Sequence, residues 1–125
     1  MAHPSPIALI VEGDDEAARS LSGFLQANGF EVHRARDGES AHHTLERLRV
    51  DCLVSELRAP RIDGFPLLRH GLTRNPDLCA VVIADSNQVP LALEAMREGA
   101  HDFQFRPIQF EKLKTLLDAR LVKTS

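Results

Sequence analysis

The stretch EAMREGAHDFQFRPIQFEKL, residues 94–113, holds the end of one helix, a short strand and the start of another helix. Ala92, Ala95, Met96 and Gly99 recur at helical spacing and share a face. Gly99 stands where that helix should stop, because glycine enters a left-handed helix end at little cost. A short apolar run, Asp102–Phe105, reads as a strand; Arg106-Pro107 follows it. Phe110, Leu113, Leu116, Leu117 and Leu121 form the next helical stripe.

The same alternation extends toward the start of the chain. Further short apolar runs lie at 7–11, 31–35, 52–54 and 80–84, giving five in all. Between them Ala17, Leu21, Phe24, Leu25 and Asn28 share one helical face, Ala41, Leu45 and Leu48 a second, and Phe65, Leu68 and Leu72 a third. Asp14 or Asp15 can cap the first helix; Asn87 can cap the fourth, with Pro90 in its first turn. Gly29 marks another helix end. Strand and helix alternating five times call for an α/β fold, a parallel sheet with helices on both faces. Runs 7–11 and 80–84 are apolar without alternation, as strands covered on both faces are. In such sheets the chemistry gathers at the carboxyl ends of the strands.

Composition narrows the function. The 125 residues suit one domain with one real core, and 43% apolar with 26% charged residues is ordinary globular usage. A formal charge of −3 leaves no basic excess for neutralising nucleic-acid phosphates. Trp and Tyr are absent, so a base-stacking platform is not expected. Ile7–Val11 is too short for a membrane span or a leader and no Lys or Arg precedes it, so the expected location is cytoplasmic. Cys52 and Cys79 lie beside apolar stretches and read as reduced, buried thiols. No phosphate-binding glycine motif and no Cys/His cluster occurs. His42 and His43 in the second helix read as solvated, and neither they, His70 nor His101 meets another histidine at metal-ligand spacing along the chain.

The strand ends carry the chemistry. Glu12-Gly13-Asp14-Asp15-Glu16 follows the first strand with four acids in five residues. Ser55-Glu56 ends the third, Ala84-Asp85-Ser86 the fourth, and Arg106 follows the fifth. Glu12, Asp14 and Glu56 offer the hard oxygen ligands that suit Mg²⁺. Arg106 can neutralise those carboxylates or clamp a phosphoryl group.

These residues resemble the receiver domains of two-component response regulators, the CheY-like family. The resemblance runs from Ile7 to about Leu121 and is most specific in ELRAPRIDG (56–64) and EAMREGAHDFQFRPIQFEKL (94–113), with VEGDDE and the pattern over 21–32 in support. It implies a flavodoxin-like, doubly wound five-stranded parallel sheet of order 2-1-3-4-5 with five helices. It also implies a single receiver domain over 1–125, standing alone or as the N-terminal part of a longer regulator, with Val122–Ser125 where a linker to an effector would begin. The expected role is signalling, not an enzyme's. A histidine kinase, an effector domain or a downstream protein is the implied partner, and homodimerisation through the face of the fourth helix, fifth strand and fifth helix is the implied assembly.

The family's chemistry uses two acids after the first strand, a phosphorylated Asp after the third, a Ser or Thr after the fourth and a Lys after the fifth. Here those positions hold Glu12 and Gly13, Glu56, Ala84 and Arg106. Glu56 would carry the phosphoacceptor's carboxylate about 1.5 Å too far, and about 1 Å of misplacement can cost on the order of 100-fold in rate. Gly13 removes a metal ligand, Ala84 removes the hydroxyl, and Arg106 replaces a compact ammonium with a planar fork. The sequence therefore reads as an atypical receiver, or pseudo-receiver, in which any Mg²⁺ site at Glu12, Asp14 and Glu56 is weak or absent. An ion pair between Glu56 and Arg106 would partly mimic a phosphoaspartate–Lys contact, with a charge of −1 against about −1.5 to −2 for a phosphate. The alternatives are a conventional Mg²⁺-dependent acceptor using Glu56 or Asp14 and controlling a transcriptional effector, and a small-ligand sensor in the same pocket. Phe103 matches the family's switch aromatic and is expected to be buried. The family's cis peptide is expected at Arg106–Pro107.

Overall fold

The computed structural model describes residues 4–121. The expected linker onset at 122–125 lies outside them. The order is β1 (Ile7–Val11), α1 (Asp15–Ala27), β2 (Glu31–Ala35), α2 (Gly38–Arg47), β3 (Cys52–Glu56), a small antiparallel hairpin of β4 (Arg58–Ala59) and β5 (Ile62–Asp63), α3 (Gly64–Arg74), β6 (Cys79–Ala84), α4 (Val89–Arg97), β7 (Asp102–Phe105) and α5 (Phe110–Leu121). The main sheet is parallel, with strands in the order β2-β1-β3-β6-β7. Setting the hairpin aside, this is the expected doubly wound order 2-1-3-4-5 with five helices.

The central strands β1, β3 and β6 are buried almost throughout, which is why their residues do not alternate. One face of the sheet packs Ala8, Ile10, Val54 and Val81 against Leu21 and Leu25 of α1 and Leu113 and Leu117 of α5. The other packs Leu9, Val11, Leu53 and Val82 against Leu45 of α2, Leu68 of α3 and Ala92 and Ala95 of α4. On α1 it is Ala18, not Ala17, that is fully buried. Cys52 and Cys79 are free, buried and opposite each other in the β3–β6 register.

The fourth helix starts differently from the expectation. Asn87 does not cap it. Residues Ser86–Gln88 form a 3-10 turn first, and the Gln88 side-chain carbonyl oxygen accepts the Asp85 N–H at 2.9 Å. Pro90 does fall in the first turn of α4. Gly29 (φ +91°) and Gly99 (φ +114°) end α1 and α4 in the left-handed region, where a side chain would be strained. Gly64 has a different reason to be glycine. A Cβ there would sit 2.7 Å from the Glu56 carbonyl oxygen, so the loop after β3 closes tightly only without one. That closure fixes where the Glu56 side chain starts.

Candidate functional site

Four strand ends bring Glu12, Glu56, Asp85 and Arg106 to one rim, beside an open cleft of about 940 Å³ that Glu12, Glu56 and Arg106 help to line. Glu12 follows β1 and is 2% exposed. Its backbone is pinned on both sides. Its N–H donates to the Ala35 carbonyl at 3.1 Å, and its carbonyl accepts from Arg34 Nε and Nη2 at 3.0 and 2.7 Å. Its side chain accepts the Asp14 N–H on Oε2 at 3.0 Å and Arg106 Nη1 on Oε1 at 2.9 Å.

Glu56, the last residue of β3, is 7% exposed. Its Oε2 accepts the Gly13 N–H at 3.1 Å, and its Oε1 accepts from Arg106 Nη2. The Arg106 fork thus spans both carboxylates, one through each terminal nitrogen of its rigid plane. Asp85, exposed at the end of β6, adds a weaker contact of 3.5 Å to Arg106 Nε. Three carboxylates therefore share one guanidinium. Burial pushes the Glu56 carboxyl up from its ordinary 4.5, and hydrogen bonding and charge from Glu12 push the same way, against the Gly13 N–H and Arg106. Burial works against the Arg106 charge, but Glu12, Glu56 and Asp85 together raise its pKa.

The other sequence-selected residues divide. Asp14 is exposed and caps α1, its Oδ2 accepting the Ala17 N–H at 2.8 Å. Gly13 presents no ligand, yet a Cβ there would meet Glu56 Oε2 at an ordinary 3.7 Å, so the backbone there admits a side chain's first carbon. Ala84 is 1% exposed and pairs with Phe105 across β6 and β7. Arg106–Pro107 is cis, as expected. Phe103 is half-buried rather than buried. It lies on the edge strand β7 with its ring edge-on to Phe105, centroids 5.3 Å apart. An edge strand is covered less completely than a central one.

Asp85 and Arg34 were not singled out by their chemistry in the sequence. Asp85 carried a signal, since it directly follows a buried strand. Arg34 carried none, because it acts through the backbone of a residue 22 positions away. Asp15, at the other end of that arginine, contacts Arg34 Nη1 at 3.0 Å and Arg36 Nη1 at 3.3 Å.

The sequence model of the response regulator receiver domain matches residues 8–118. Among curated proteins, the transcriptional regulatory protein FixJ of Bradyrhizobium diazoefficiens is 32% identical over 114 residues, 90% of this chain and 56% of that protein. The regulatory protein AtoC of Escherichia coli is 28% identical over 113 residues, 90% of this chain and 24% of that protein. The chain thus spans between a quarter and a little over half of these relatives. Among solved structures, a two-component response regulator from Clostridium difficile superposes with a TM-score of 0.85 at 23% identity, covering 96% of this chain and 98% of that one, a likeness of fold alone.

Proposed function

We propose that this chain, which belongs to the response regulator receiver domain family, is an atypical receiver whose pocket is filled by its own arginine and which signals through protein contacts with little or no phosphorylation. The observation that carries this reading is the Glu12–Arg106–Glu56 cluster. A guanidinium lies across the two carboxylates that a metal ion would need.

The residues present do not fit Mg²⁺. That ion wants near-octahedral oxygen coordination and usually one or two carboxylates free to face it. Glu12 and Glu56 both face Arg106, Asp14 is used as a cap, and Gly13 has no side chain. Ala84 offers a phosphoryl oxygen no hydroxyl. The conventional alternative, with Glu56 or Asp14 as acceptor, would need Arg106 to leave first. The fixed charge arrangement instead favours one standing state of the pocket.

Partners follow from the family reading: a histidine kinase, an effector domain, or a second copy through the face of α4, β7 and α5. On α4 the side chains of Val89 and Leu93 are 43% and 47% exposed, and they are the large apolar groups most open to solvent among the described residues. Because FixJ is a transcriptional regulatory protein, control of transcription by an attached effector is the output we assign. A cytoplasmic location accords with this role; no described helix is long and apolar enough to cross a membrane.

Intact mass after incubation with Mg²⁺ and acetyl phosphate tests the reading, with a conventional receiver alongside. The control is expected to gain a phosphoryl group and this chain to stay unmodified. A phosphoryl adduct that Glu56→Gln abolishes would overturn it.

A second expectation concerns pH. The folded pKa of Glu56 lies above its ordinary 4.5, so folding favours its protonated form. The stability this contributes is complete below pH 4.5 and is lost as pH rises through the higher folded value. Glu56→Gln has no such loss. Urea midpoints from acid to neutral pH should therefore show wild-type stability falling relative to Glu56→Gln from about pH 4.5 upward. A constant difference would show that Glu56 keeps its ordinary pKa.

A further inference from the structure

Across the α2–α3 interface the fold assembles a group of side chains that sequence spacing does not reveal. His42 and Glu46 lie one turn apart on α2 and share a face. His70 comes from α3, whose residue Gly71 lies so close to Leu78 that a Cβ would meet it at 2.8 Å. The His42 and His70 rings stack with centroids 4.4 Å apart. One ligand atom from each of His42, Glu46 and His70 falls within 4.8 Å of the others.

His70 Nε2 is shielded from solvent and has no hydrogen-bond partner among the described residues. It nevertheless lies 2.5 Å from Glu46 Oε2. A neutral imidazole lone pair pressed against a carboxylate oxygen is repulsive unless a cation stands between them or beside both. A lone proton would answer for His70 and Glu46, but would leave the second imidazole stacked there without a role. A metal ion uses all three groups.

We propose that His42, Glu46 and His70 form a site for a divalent transition metal ion, for which Zn²⁺ is the probe, joining α2 to α3. Two neutral imidazoles and a carboxylate are borderline ligands that suit Zn²⁺ and its neighbours better than Mg²⁺ or Ca²⁺. Tetrahedral coordination sets ligand atoms about 3.3 Å apart, so His70 Nε2 and Glu46 Oε2, now 2.5 Å apart, would open to admit the ion and the wider separations, up to 4.8 Å, would close. His42 and Glu46 are exposed, which leaves a fourth position open to water. The helices beneath are held by Ala41, Leu45 and Leu68, all fully buried, so the frame does not depend on the ion. The site shares no residue with the Glu12–Glu56–Arg106 cluster, and it stands or falls separately from the proposed function.

Calorimetric titration of the whole chain with Zn²⁺ is expected to show one equivalent bound in the micromolar range or tighter. His42→Asn, Glu46→Gln and His70→Gln should each weaken it at least about tenfold, while His43→Asn and Glu56→Gln leave it unchanged. In the wild type, which needs no substitution, Zn²⁺ should shift the imidazole nitrogen resonances of His42 and His70 together. Absence of stoichiometric binding, imidazole resonances that do not move, or binding lost with Glu56→Gln or His43→Asn instead, would overturn the assignment.

Discussion

Arg106→Ala is expected to lower the unfolding free energy by about 2–3 kcal/mol near neutral pH, measured by urea denaturation. Breaking a buried ion pair typically costs roughly 3–5 kcal/mol because the abandoned charge stays buried. The Arg106 side chain is 35% exposed, so solvent screening reduces that figure. What remains is large because two carboxylates are left, with side chains 2% and 9% exposed, and no shared counter-charge. The loss should shrink in acid, where the raised pKa of Glu56 lets it take up a proton and shed its charge. Arg106→Lys should cost less than Ala but more than nothing, since it keeps the charge but loses the reach and the pre-organised fork that serve Glu12 and Glu56. A loss below about 0.5 kcal/mol, the ordinary surface value, would mean that the guanidinium is an ornament of the rim.

The second large effect is a gain of chemistry. Gly13→Asp, Glu56→Asp, Ala84→Thr and Arg106→Lys together should convert the chain from unreactive to labelled by acetyl phosphate in the presence of Mg²⁺. The steric room exists at residue 13, where a Cβ makes only van der Waals contacts and the backbone is not in the left-handed region. Shortening Glu56 draws the nucleophile back by about 1.5 Å, enough to matter by on the order of 100-fold. Gly13, Glu56 and Arg106 are joined by hydrogen bonds, so the effects of changing them should be far from additive. Arg106→Lys alone should restore nothing, because the metal would still lack its second acid. A fourfold variant that folds, as judged by circular dichroism, and remains unlabelled would mean that something besides these side chains disables the pocket.

Much of this was legible in the sequence because the fold is written at short range. Each strand is a brief apolar run and each helix a periodic stripe, so Ile7–Val11, Glu31–Ala35 and Asp102–Phe105 have the same limits in sequence and structure. Strand β3 runs on to Glu56, beyond its expected end at Val54, because its last two residues are polar and interrupt the apolar run. The hairpin β4–β5 was not legible, since two-residue strands leave no periodicity. At the rim, the spacing between strand ends brought Glu12, Glu56 and Arg106 into one list, and the structure joins them. That Arg106 bridges Glu12 as well as Glu56 could not be read, because it depends on the reach and rotamer of a long side chain. The stacked pair His42 and His70 was hidden for a related reason. Its members lie on different helices, and only the packing of α2 on α3 brings them together.

On the proposed reading the guanidinium of Arg106 stands where a receiver's metal and phosphoryl group would bind. The most direct measurement is an Mg²⁺ titration followed by the backbone amide resonances of Gly13 and Asp14, whose N–H groups donate to Glu56 and Glu12. Fluorescence cannot serve, since the chain has neither Trp nor Tyr. These resonances should stay in place through millimolar Mg²⁺ in the wild type. Saturable shifts at Gly13 and Asp14 in the unmodified protein would contradict it, because they would place the ion among carboxylates that Arg106 is said to hold.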